Sequence, residues 1–144
     1  MSDAQQSRHI GRSVVAVVGG IVVGVALTLI TDAVLHKTGF FPPRGEWTPS
    51  GPLAVATAYR IVYSIFGSYV VALLAPSSPM KHALISGIIG VIVTAVGAFA
   101  TWNQNLGPHW YAVALVVIAL PCAWAGGKLR LVQLRNRASA QLAG

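Results

Sequence analysis

The sequence predicts an all-α fold, a four-helix transmembrane bundle with the N- and C-termini cytoplasmic. Three observations predict it. First, four apolar stretches, Ser13–Leu35, Leu53–Ala75, Ala83–Trp102 and Trp110–Gly127, fill most of a 144-residue chain. Each approaches or exceeds the ~18–20 residues a helix needs to cross a ~30 Å hydrocarbon layer. Second, hydrophobic residues make up 55% of the chain and charged residues 9%, where globular domains carry about 25% charged residues. One small core cannot hide that much apolar surface, so lipid must cover it. Third, the basic residues are distributed unevenly. Arg8, Arg12, Lys81, Lys128, Arg130, Arg135 and Arg137 fall on one side of the four spans, and only Lys37 and Arg44 on the other. The positive-inside rule puts the first group, and with it both termini, in the cytoplasm.

The elements follow in order along a single domain, residues 1–144. Residues 1–12 are polar and are expected to lie free ahead of the first helix, at about 13–35. Arg8 and Arg12 before an apolar run resemble the start of a signal peptide, but the run exceeds the ~7–15 residues of such a segment and no small-residue cleavage site follows. It is therefore expected to stay as a helix. The segment His36–Pro52 holds four prolines and three glycines, which forbid regular helix. Phe40, Phe41 and Trp47 should bring it down onto the membrane interface. The second helix is expected at about 53–75, followed by the turn Pro76-Ser77-Ser78-Pro79. The third, at about 83–102, leads into an uncharged turn, Asn103–Pro108, bracketed by Trp102, Trp110 and Tyr111 as in an interfacial aromatic belt. The fourth, at about 110–127, carries Pro121, expected to kink it, and closes at Gly126-Gly127. The basic tail 128–144 is then free to lie along the membrane surface through Leu129, Leu131, Val132 and Leu134.

Two full charges, Asp32 and Arg60, fall inside the expected spans. An ionisable side chain in hydrocarbon costs at least ~2.5–3.5 kcal/mol at the centre of the layer. Both lie near the outer ends of antiparallel neighbours, so an ion pair is expected. Helix one carries Gly20, Gly24, Thr28, Asp32 and His36 at steps of four; helix two carries Ala56, Arg60, Ser64, Ser68 and Ala72. Run antiparallel, the stripes match Gly20 with Ala72, Gly24 with Ser68, Thr28 with Ser64 and Asp32 with Arg60, and small residues let the backbones approach. Gly90 and Gly97 extend the small-residue theme to helix three. Tyr59 and Tyr63 flank Arg60 and are expected to hold its guanidinium. His36, one turn past Asp32, forms a candidate proton couple with it. The cluster reads either as a clamp that fixes helix register or as part of a pathway for a substrate or proton.

Several function classes are disfavoured. The net charge of +7 and pI near 10.4 would suit nucleic acid in a soluble protein, but no basic amphipathic helix or recognition motif accompanies them. Cys122, the only cysteine, excludes an internal disulfide and a cysteine metal cage. The histidines offer no zinc-ligand spacing. There is no phosphate loop, nucleophile elbow or paired-carboxylate site, so neither catalysis nor a cofactor is expected.

The stretches Thr31-Asp32-x-x-Leu35-His36-x-x-Gly39-x-Phe41-Pro42-Pro43, Ala58-Tyr59-Arg60-x-Val62-Tyr63, Leu74-Ala75-Pro76-x-x-Pro79-Met80-x-His82-Ala83-Leu84 and Trp110-Tyr111…Ala119-Leu120-Pro121-x-Ala123-Trp124 resemble an uncharacterised family of small bacterial four-helix integral membrane proteins. The resemblance implies the fold and marks Asp32, Arg60 and the Trp/Tyr set as positions of interest; it implies no activity. The membrane glutamate of small multidrug exporters and the Asn and paired-Phe pattern of fluoride channels are absent. The expected role is a structural or accessory subunit, or a homo-oligomeric component, of a bacterial inner (plasma) membrane. Its expected partners are lipids and further copies or a larger complex. The alternative is a small transporter or channel using Asp32, Arg60 and His36.

Overall fold

The computed structural model describes residues 3–143, with side chains described from His9 onward. Residues 1, 2 and 144 lie outside the described residues, as do the side chains of residues 3–8, including that of Arg8 in the charge count above. Four helices make up the fold: α1 (Asp3–Lys37), α2 (Ser50–Leu74), α3 (Pro79–Thr101) and α4 (His109–Ala143). There is no strand among the described residues, and all four helices are long and apolar enough to cross a membrane. The helices alternate in direction. Segments 38–49 and 102–108 define a loop end; the 75–78 turn and the free ends of α1 and α4 define a terminal end.

Two boundaries differ from expectation by ten residues or more, and two smaller shifts start α2 at Ser50, inside the segment expected to exclude helix, and α3 at Pro79 rather than near 83. α1 begins at Asp3 rather than near residue 13, so described residues of the polar 1–12 segment are helical. α4 continues through Gly126-Gly127 to Ala143, without a separate tail at 128. Those glycines are packing residues rather than a stop. A Cβ on Gly126 would lie 2.5 Å from the Ile65 carbonyl, and one on Gly127 would lie 2.8 Å from Met80 Sδ. The residues after them, Lys-Leu-Arg-Leu-Val-Gln-Leu-Arg, are mostly strong helix formers with no proline to end the run. Both α1 and α4, at 35 residues, are about 52 Å long at 1.5 Å per residue.

Local chemistry explains the connections. α1 ends in a Schellman cap: Gly39 takes φ +75°, Phe40 N–H donates to Leu35 C=O at 3.0 Å and Gly39 N–H to His36 C=O at 3.2 Å, the paired bonds that close a helix through a left-handed glycine. Phe41 then turns inward, 7% exposed, against the His36 ring at 5.2 Å. Phe40 and Trp47 remain exposed. The loop is tied to the opposite turn by Thr48 N–H donating to Leu106 C=O at 2.8 Å, and Trp110 Nε1 donates to Ser50 Oγ at 3.3 Å. α3 starts with Pro79 in its first turn, where its missing N–H costs nothing.

α2 is the hub. It packs on α1, α3 and α4, while α3 packs closely on α4. α1 meets α3 only lightly and does not contact α4 among the described residues. Apart from Phe41 and Leu53 the buried core is made of small side chains, with Val71 the largest fully buried one. Glycines set the separations. On the α1–α2 seam a Cβ at Gly20 would collide with Val71 and lie 2.5 Å from the Gly67 carbonyl; one at Gly67 would lie 2.9 Å from the Gly20 carbonyl. On the α3–α4 seam a Cβ at Gly87 would lie 2.5 Å from Ala123 Cβ.

These contacts predict a sharp contrast between glycines. Gly67→Leu should destabilise the fold by roughly 1–3 kcal/mol or more through overpacking. Gly97→Leu, whose new side chain meets open space, should stay within about 0.5 kcal/mol. Reversible unfolding of the purified protein in detergent reads both; equal losses would contradict the seam.

Candidate functional site

The loop end of the α1–α2 seam carries the charged residues. Arg60 Nη2 donates to Asp32 Oδ2 at 2.8 Å, the only salt bridge among the described residues, with side chains 29% and 20% exposed. Tyr59 O–H donates to the other carboxylate oxygen, Oδ1. Both oxygens of Asp32 are thus engaged by groups on α2. The Arg60 guanidinium carbon sits 5.8 Å from the centre of the Tyr111 ring on α4, within reach of a cation–π attraction. Arg60 Nε is buried and has no hydrogen-bond partner. Three helices therefore meet at one arginine.

The remaining candidates divide. His36 does not join the Asp32 carboxylate: its Nδ1 lies 2.7 Å from the Asp32 backbone carbonyl, the contact of a side chain folding back on its own helix. The expected Asp–His proton couple is not formed. Tyr63 does not hold Arg60; its hydroxyl lies 3.0 Å from Thr31 Oγ1, a second polar tie one turn along the same seam. Thr28 Oγ1 donates to the Gly24 carbonyl at 2.9 Å. Ser64 is exposed, and no hydrogen bond to its hydroxyl occurs among the described residues. The partners of the small residues are shifted by one position from the expected stripe. Gly20 meets Gly67 and Val71, and Gly24 lies beside the Tyr63 carbonyl and Gly67. Ser68 faces Gly126 of α4 instead, and Ala72 is buried. A Cβ at Gly90 would lie 3.7 Å from Ala119 Cβ, ordinary contact. Gly97 has no neighbour within 4 Å of such a Cβ, which removes it from the packing set.

Because α1 and α4 do not touch, a cleft of about 380 Å³ opens between α1 and α3, with α2 and α4 behind it. Asp32 and Arg60 lie at its loop end; Gly20, Val71 and Ser86 lie toward the terminal end. Thr28, Ser86 and Thr94 in its wall all donate their hydroxyl protons to carbonyls of their own helices, so they offer the cleft methyl or methylene surface and acceptor lone pairs only. No group of three or more His, Cys, Asp or Glu among the described residues is placed to hold a metal ion.

Sequence reasoning missed Gly67, Gly126, Thr31 and the role of Tyr111. A glycine inside a helix costs about 1 kcal/mol relative to alanine, so Gly67 in the middle of α2 was itself a sign of close packing. It also missed a polar cluster at the terminal end, where Tyr69 O–H donates to Gln133 Oε1 at 2.9 Å and Arg130 Nη1 donates to the same oxygen at 2.6 Å. That cluster only becomes visible once α4 is known to continue past residue 127.

Removing one member of a fully buried ion pair costs about 3–5 kcal/mol. The partial exposure of Asp32 and Arg60 lowers this, so Asp32→Asn and Arg60→Gln should each lose roughly 1–3 kcal/mol. The double variant should lose about 1–2 kcal/mol less than their sum, the mark of direct coupling. Tyr63→Phe should behave additively with Asp32→Asn. A thermodynamic cycle from detergent unfolding measures all of these, and strict additivity of Asp32→Asn with Arg60→Gln would contradict the pair.

Compared with protein-family models, with curated proteins and with solved structures, the chain matches none.

Proposed function

We propose that this chain is a multi-pass component of a bacterial inner (plasma) membrane, with both termini and the basic end of α4 in the cytoplasm. It serves as a structural or accessory subunit, as a homo-oligomer or inside a larger membrane complex, and is not an enzyme. The observation that carries this reading is the one-sided assembly. α1 is held through α2, with light support from α3, and the outward faces of α1 and α3 carry Val22, Ile92, Val96 and Phe99, the last 87% exposed. Lipid or another membrane helix has to cover those faces. The Asp32–Arg60 cluster supports a structural role because both carboxylate oxygens are already committed within the protein. Its charges hold α1 in register rather than waiting for a substrate. The count of cationic side chains on the two sides supports the orientation.

Gentle extraction followed by native mass spectrometry tests the assembly. The expected spectrum shows a homo-oligomer or a second polypeptide at fixed stoichiometry. A bare monomer with lipid alone contradicts the subunit reading. Reporter fusions at residue 144 should report a cytoplasmic C-terminus and fusions in the 38–49 loop the opposite side.

A second reading, a small transporter, draws on the fact that Asp32 and Arg60 also line the cleft. It requires substrate flux in liposomes that Asp32→Asn abolishes.

A further inference from the structure

We propose that the loop after α1 forms a binding site for a phosphate group, with Lys37 and Arg44 as its cationic partners. The placement of the two cations, their lack of a partner within the protein and the backbone that holds them converge on that ligand.

The positive-inside rule accounts for the cations at the terminal end. It gives no reason for Lys37 and Arg44 in the loop after α1. Both line one open pocket, together with His36, Phe41, Pro42 and Pro43. The pocket holds about 540 Å³, room for many small groups, so charge rather than size makes the selection.

Neither cation is spent within the protein. Lys37 sits in the last turn of α1, where a cation commonly serves the helix-end carbonyls. Those carbonyls already have donors. Val34 C=O accepts from Thr38 N–H at 3.0 Å, Leu35 C=O from Phe40 N–H at 3.0 Å and His36 C=O from Gly39 N–H at 3.2 Å. Arg44 lies outside the helix and has no part in its end. Asp32 is committed to Arg60, the one salt bridge among the described residues. Glu46 pairs with neither cation and does not line the pocket. Two positive charges therefore meet there without a counterion. A carboxylate has two oxygens, which one guanidinium fork saturates. A phosphate group has oxygens for the fork and for the ammonium together.

The backbone sets the pocket before a ligand arrives. Gly39, at φ +75°, turns the chain after α1, and Phe41 packs against the His36 ring at 5.2 Å. That ring is itself held, with Nδ1 2.7 Å from the Asp32 backbone carbonyl. Pro43 C=O then accepts from Glu46 N–H at 3.1 Å across a turn with Gly45 at φ +92°, the left-handed third position that calls for glycine. Arg44 is the corner residue of that turn. A loop fixed in this way has less order to gain on binding, which lowers the cost of association. Phe40 and Trp47, exposed in the same loop, suit a membrane interface, so the phosphate has two sources, a lipid headgroup and the adjoining solution.

The inference goes beyond the subunit reading and depends neither on oligomeric state nor on which side of the membrane the loop faces. The full chain, in maltoside micelles free of phospholipid, is titrated while backbone amide NMR follows Lys37, Gly39, Arg44 and Gly45. One titrant is inorganic phosphate. The other is dioctanoyl phosphatidylglycerol mixed into the micelle, with dioctanoylglycerol as its phosphate-free counterpart. At least one phosphate probe should give saturable shifts centred on those residues, and dioctanoylglycerol should give none. Saturation by the lipid alone supports the site and identifies a headgroup as the source; saturation by inorganic phosphate supports it and identifies a soluble phosphate. Lys37→Gln combined with Arg44→Gln should weaken binding at least about tenfold, the scale of one lost charge-assisted hydrogen bond. Arg135→Gln combined with Arg137→Gln removes the same charge from the far end of α4 and should stay within about twofold, because charges that distant are screened. All four side chains are exposed, and amide shifts outside the loop report that each variant keeps its fold. The proposal is overturned by the absence of saturable shifts with both phosphate probes, by equal shifts from dioctanoylglycerol, or by equal weakening in the two double variants.

Discussion

The rest of the structure depends on the salt bridge between Asp32 and Arg60. α1 is the least supported helix of the four: it lies along α2, brushes α3 and does not reach α4. A helix held along one seam can slide or rotate unless something on that seam is specific. Dispersion contacts between small residues are not, since a glycine surface accepts several registers. The charged pair is specific, because shifting α1 by even one turn would move Asp32 about 5.4 Å along the axis and strand two charges against apolar helix faces. Tyr59 on the second carboxylate oxygen and Tyr111 under the guanidinium complete the fixation. They link α1 to α2 and α2 to α4 at one depth.

Once that register is set, the glycines have defined partners. Gly20, Gly24 and Gly67 bring α1 and α2 to backbone contact, while Gly126 does the same between α2 and α4 and Gly87 between α3 and α4. Close approach along the α1–α2, α2–α4 and α3–α4 seams, with α1 only brushing α3 and not reaching α4, leaves the cleft as a geometric consequence. Val71 is the bulkiest fully buried side chain of this fold, and the larger aliphatic residues beside the gap, Ile21, Ile89 and Ile118 among them, line its walls. The cleft and the latch are therefore two results of the same packing choice, and the arginine that fixes the register also lines the space it leaves.

The four helices were legible because hydropathy reports them directly, and the Asp32–Arg60 pairing was legible because depth in antiparallel neighbours is simple arithmetic. The facing surfaces were less so. Steps of four rotate about 40° per step around a helix of 3.6 residues per turn, so a stripe such as Arg60, Ser64, Ser68, Ala72 winds off the contact line. The real seam on α2 runs through Arg60, Tyr63, Gly67 and Val71, and its one step of three shifts the contact line by a residue, which is why Ser68 and Ala72 lost their assigned partners on α1. Gly126-Gly127 read as a helix stop because a glycine pair without tertiary context is a breaker; against Ile65 and Met80 it is a fitted surface. Tyr111 read as a belt residue because no sequence pattern says that α4 packs beside α2. His36 sits at the right spacing for Asp32, but the nearer backbone carbonyl captures its ring.

The central claim is that α1 is pinned to α2 through a direct Asp32–Arg60 contact, and it can be measured without perturbing the protein. Magic-angle-spinning NMR of the chain in lipid bilayers, with ¹³C-labelled aspartate and ¹⁵N-labelled arginine, reads the dipolar coupling between carboxylate carbon and guanidinium nitrogen. With one salt bridge among the described residues, a single strong coupling should arise, matching the 2.8 Å Nη2–Oδ2 contact. Absence of that coupling in a well-folded, well-resolved sample would show the two side chains apart and would contradict the account of how α1 is held.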